Sequence, residues 1–177
     1  LACPPLQWTL GDAPLSFTVL KQQKDGKMNK KEIYRFIDLF VISVANLFNI
    51  IMVVVFYLRT RNVNHPKAFG YVWTVFVIIL VAASILNIRS KLSWWSIALP
   101  LIFAAFLILE LILDYLLQID FRNTSLLAPY LLLYYVSILG MIGYSFLTEK
   151  KLGIFTLVTY FLSQIAAFYS YFNVGHG

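Results

Sequence analysis

A single cysteine, Cys3, occurs in 177 residues, which excludes an intramolecular disulfide and any cluster of thiolate metal ligands. Only two histidines are present, His65 and His176. Neither lies within a long apolar run, so paired haem ligation inside a helical bundle is excluded too. Charge is equally scarce. Asp, Glu, Lys and Arg make up 12% of the chain, against about 25% in a soluble globular domain. Hydrophobic residues fill the gap at 60%, and mean hydropathy is +0.79. So few polar groups could not cover a water-facing surface, whereas hydrocarbon requires no such cover. The composition therefore predicts an all-α integral membrane bundle.

The net charge of +6 would suit nucleic acid if it formed a patch on a folded polar domain. Here the basic residues occupy the N-terminal stretch and the short breaks between apolar runs. That placement fixes orientation in a bilayer and argues against nucleic acid as a partner.

The apolar runs predict five spans, about 37–58, 69–88, 94–119, 126–147 and 152–172, each near the roughly 20 residues that cross a bilayer. Residues 1–32 form a polar, basic tail before a transmembrane domain at 33–177. Within that tail, residues 1–27 read either as an extension ahead of a start at Met28 or as a cytoplasmic tail. The brief connections make successive helices antiparallel neighbours. With the N-terminus inside, ten basic residues fall on the inner side and four, Arg59, Arg61, Lys67 and Arg122, on the outer. The expected placement is a multi-pass protein of the cell membrane, N-terminus cytoplasmic and C-terminus outside.

The informative residues are the polar ones inside the spans, because an ionised group at the bilayer centre costs at least about 2.5–3.5 kcal/mol. Glu110, Asp114 and Gln118 recur every four residues and predict one stripe along the third helix. Glu110 lies about 22 Å along that span from Trp95. Depth counting brings Asn49, Tyr134 and Gln164 within reach of Glu110, and Thr74 near the same level. Together, Glu110, Asp114, Asn49, Tyr134 and Gln164 form the candidate intramembrane polar site. Asp114 and Arg122 form a candidate ion pair, and Asp38 is expected to stay hydrated beside Arg35. Tyr130, Tyr134, Ser137, Met141 and Tyr144 make a stripe on the fourth span that reads as packing. Pro100 predicts a kink or loosening in the third. Gly140, Gly143, Ser163, Ala166, Ala167 and Ser170 predict close contacts and a tight hairpin between spans four and five.

Catalytic signatures are wanting: the spans carry no Gly-x-Ser-x-Gly, no Ser–His pairing and no phosphate-cradling loop. No cofactor or metal is expected. The leading expectation is a non-catalytic subunit or scaffold of a membrane assembly. Its partners would be the lipid bilayer and either further copies of itself or other membrane subunits. The alternatives are a small proton- or cation-coupled transporter, channel or ligand-binding protein centred on Glu110 and Asp114, and, third, an intramembrane enzyme.

Overall fold

In a computed structural model the described residues are 30–61, 68–118 and 124–174. They are all-helical. The chain divides into two compact units, residues 1–33 and 34–177. Of the first, only the opening turn of a helix is described, and the second holds the bundle.

Among the described residues five helices are long and apolar enough to cross a membrane. They are α1 Lys30–Thr60, α2 Ala68–Arg89, α3 Trp94–Glu110, α4 Leu127–Thr148 and α5 Lys150–Val174. The shortest alone, α3, runs on directly into a π-helical turn at Leu111–Leu116. Together they make 23 residues, about 35 Å at 1.5 Å per residue, enough for a hydrocarbon core of about 30 Å. The third helical segment thus stops at Leu116 rather than Ile119. Gln118 lies beyond it at φ 51°, so the expected three-residue polar stripe contains only Glu110 and Asp114.

Helix α1 is the enclosed member. Half of its span is buried, against 22% for α5. Phe48 is the hub of its apolar packing. Its ring lies 5.0 Å from Trp73 on α2 and 5.4 Å and 5.9 Å from Phe103 and Phe106 on α3. The two α3 contacts are edge-on, the arrangement that sets a positive ring edge against a negative face. Outward-facing side chains are apolar as well, including Leu132, Ile165 and Phe172 at 67%, 64% and 81% exposure. Lipid tails are as apolar as leucine, so burial of such groups gives no hydrophobic drive between helices; close packing and hydrogen bonds must supply it.

Two connections are tight. Lys91, at φ 53°, turns the chain from α2 into α3. Between α4 and α5 a single extended residue, Glu149, reverses direction. The ring of Phe146 then lies over Gly153 so closely that a Cβ there would sit 2.4 Å from it. The expected α4–α5 hairpin is therefore present, with Gly153 as its close-approach residue. Gly140 instead meets Leu99 of α3, and Gly143 has nothing within 4 Å.

Pro100 leaves α3 continuous. In an α-helix the N–H of residue 100 would bond to the carbonyl of Ser96, and proline has no N–H. Asn87 of α2 replaces it, donating from Nδ2 to the Ser96 carbonyl at 2.8 Å. A side chain of the neighbouring helix thus closes the gap that proline opens.

Candidate functional site

Hydroxyl groups inside these helices mostly bond backward. Ser84, Ser145, Thr148 and Thr156 each reach the carbonyl four residues earlier, at 2.8 to 3.0 Å. This local solution satisfies a hydroxyl where no water is at hand. Longer polar side chains must find partners on other helices, and they do so in separate groups.

The largest group joins α1 to α5. Asn46 Nδ2 donates to Thr156 Oγ1 at 3.1 Å, and Asn49 Nδ2 donates to Thr159 Oγ1 at 3.2 Å. Thr159 Oγ1 donates back to Asn46 Oδ1 at 2.8 Å. The same offset of 110 residues in both amide bonds means that α1 and α5 run parallel, in register. Ser145 of α4 joins through the Thr156 hydroxyl at 3.1 Å. Asn49 is thereby committed to α5, and its Oδ1 is buried without a hydrogen-bond partner.

Glu110 sits apart from that network. It is 6% exposed, and its Oε2 accepts the Tyr130 hydroxyl at 2.5 Å. Tyr130 opens α4, and Phe106 packs against both Tyr130 and Tyr134 at 5.7 Å and 5.4 Å. Tyr134, one helical turn on, accepts instead from Gln164 Nε2 at 2.8 Å. Depth counting placed Tyr134 near Glu110; Tyr130, one turn earlier, meets it instead. The candidate residues are thus distributed among three contacts: Glu110 with Tyr130, Tyr134 with Gln164, and Asn49 with Thr159.

Asp114 lies half-buried in the π turn. Its proposed partner Arg122 falls outside the described residues. The turn itself is evident from Leu117, whose N–H bonds to the carbonyl of Ile112 five residues back at 2.8 Å. Such turns widen a helix locally and recur at functional sites. Here the turn borders a shallow groove of about 290 Å³ lined by Thr74, Leu111, Ile112, Tyr115 and Leu116. Neither carboxylate lines it. Thr74 turns its hydroxyl to the Gly70 carbonyl at 2.9 Å, leaving the groove almost wholly apolar.

A third polar group lies near the other end of the bundle, and sequence reasoning missed it. Tyr144 of α4 donates its hydroxyl to Asp38 Oδ1 on α1. Asp38 is half-buried. Arg35 turns away from it to Glu149, at 3.6 Å with both side chains largely exposed. Tyr144 closes the tyrosine stripe of α4 and Asp38 opens the polar face of α1. A signal was therefore present, but nothing in the sequence aligned the two helices.

No group of three or more His, Cys, Asp or Glu side chains that could hold a metal ion occurs among the described residues. No protein-family model, curated protein or solved structure matches the chain.

Proposed function

We propose that this chain is a non-catalytic subunit or scaffold of a membrane assembly, associating in the bilayer through its helix faces, with the N-terminus inside and the C-terminus outside. The observation that carries this reading is the closed environment of Glu110. The deepest carboxylate of the spans is buried and hydrogen-bonded to a tyrosine of the next helix. A coupled transporter needs its ionisable group to meet water or substrate, and the groove beside the π turn is lined by neither Glu110 nor Asp114. Asn46, Asn49 and Gln164 likewise pair helix to helix, the use to which intramembrane hydrogen bonds are put in packing. Helix α5 presents the broad apolar face that a neighbouring helix would cover: Phe155, Val158, Phe161, Leu162, Ile165 and Phe168 are all at least half exposed.

Extraction of the natural protein in a mild detergent, followed by native mass spectrometry, tests the reading. A stoichiometric membrane partner, or a defined homo-oligomer that larger assemblies incorporate, is expected. A monodisperse single chain with no associated protein would overturn it.

A further inference from the structure

The two ends of the bundle treat their cations differently. At the end where α1 finishes, Arg59 lies over the Phe56 ring at 5.6 Å. Arg61 lies over the Tyr57 ring at 5.6 Å and donates to its hydroxyl at 3.3 Å. Both guanidinium groups are held against rings of their own helix. At the opposite end four exposed cations are not: Arg89 and Lys91 at the α2–α3 turn, and Lys150 and Lys151 at the α4–α5 turn. Among the described residues none of these four side chains has an ion-pair or hydrogen-bond partner. Glu149, which precedes the two lysines, is engaged by Arg35 at 3.6 Å.

Both turns lie at one end. Leu99 of α3 and Gly140 of α4 approach so closely that a Cβ on the glycine would sit 3.0 Å from the leucine. From that contact α3 runs back to its turn over about 8 Å, and α4 runs on to its own over about 12 Å. Helix α1 begins there too, because Arg35 reaches Glu149. Trp94 and Trp95, which open α3, are exposed, and their rings stack 3.5 Å apart. Exposed tryptophan at the end of a membrane-spanning helix sits at headgroup level. Lys91, three residues before the pair, therefore stands among the lipid phosphates rather than in open water.

We infer that Arg89, Lys91, Lys150 and Lys151 form a surface that gathers the headgroups of anionic phospholipids in the adjoining leaflet. Charge complementarity selects the occupant. Four cations without partners in the chain attract phosphate, and a zwitterionic headgroup offers a phosphate already balanced by its own ammonium. An anionic headgroup brings net negative charge, to which each nearby Lys or Arg is drawn. The tryptophan pair favours lipid over an acidic soluble partner, because it sets the cations at the bilayer surface instead of above it. Arg59 and Arg61 are held within their own helix, so the preference belongs to one face of the bundle. The inference goes beyond the subunit reading and stands whether or not that reading holds.

The test places the full chain in symmetric phosphatidylcholine bilayers and follows trace spin-labelled lipids by electron spin resonance, which separates lipid held at the protein from free lipid. At low salt, spin-labelled phosphatidylglycerol should be held about fivefold more strongly than spin-labelled phosphatidylcholine, the ratio that one cation beside an anionic headgroup gives. Sodium chloride at about 1 M should remove most of that excess, since it shortens the Debye length to about 3 Å. Arg89→Gln, Lys91→Gln, Lys150→Gln and Lys151→Gln combined should bring the ratio below about twofold. Arg59→Gln with Arg61→Gln, at the other end, should leave it unchanged. Wild-type protein that holds both lipids equally overturns the proposal, however the variants fold, and would leave the four cations to an acidic protein partner. So does a preference that salt leaves intact. A quadruple variant with the wild-type ratio would move the preference to the basic N-terminal stretch and equally overturn it, as would its loss in the Arg59 and Arg61 double variant.

Discussion

Glu110 shows how a donor from the next helix serves a carboxylate inside a span. With water excluded, the Tyr130 hydroxyl stands where solvent would be, and the short 2.5 Å contact suits an O–H bond to a charged or shared-proton acceptor. Tyr130→Phe removes that donor and leaves the buried Oε2 without it. We expect a loss of about 1–3 kcal/mol in unfolding by denaturing detergent. Tyr135→Phe changes an exposed neighbour on the same helix and should stay within about 0.5 kcal/mol. Equal effects of the two changes would mean that the contact contributes nothing. Residue types and depth identified Glu110 and Tyr134 as members of one polar level. The choice of Tyr130 over Tyr134 required knowing where the Phe106 ring sits, which depends on three helices at once.

At the scale of the element, α3 breaks its own helical pattern twice. Pro100 removes the donor for Ser96, and the turn at Leu111–Leu116 widens to π spacing. The first break is repaired from outside by Asn87, so proline and asparagine act as one unit. This can be measured. Asn87→Ala should destabilise the chain by about 1 kcal/mol more when residue 100 is proline than in a Pro100→Ala background, where the alanine N–H caps Ser96 again. Additive losses in that double-mutant cycle would remove the proposed coupling. From the sequence alone Pro100 predicts a kink, because a missing N–H is a property of one residue. Its replacement by a side chain from the preceding helix is a property of the α2–α3 hairpin. Gln118 illustrates the converse: strict 100° periodicity assumes that the helix continues, and the helix stops short of it.

Over the whole molecule, α1 is the most buried helix, at half of its span, against 22% to 39% for the others. Phe48 touches α2 and α3, Asp38 meets α4, and Asn46 and Asn49 meet α5. Parallel pairing of α1 with α5 requires an odd number of crossings between them, as α2, α3 and α4 provide when each reverses the last. It also brings Arg35 beside Glu149. Single cysteines at positions 35, 91 and 149, in a chain lacking Cys3, should therefore label from one face of the membrane, and a cysteine at position 61 from the other. Labelling of Arg35→Cys and Glu149→Cys from opposite sides would break the arrangement.

The class and the number of helices were determined by the sequence itself. Both follow from composition and run length, and hydrocarbon as solvent forces backbone polar groups into helices whatever their neighbours. The polar faces were readable for a related reason: helical periodicity is local. Which face meets which was decided only by tertiary structure. Rotation and axial register between helices are fixed by packing that no single segment contains. Thus Glu110 finds Tyr130, Asp38 finds Tyr144, and the carbonyl freed by Pro100 finds Asn87.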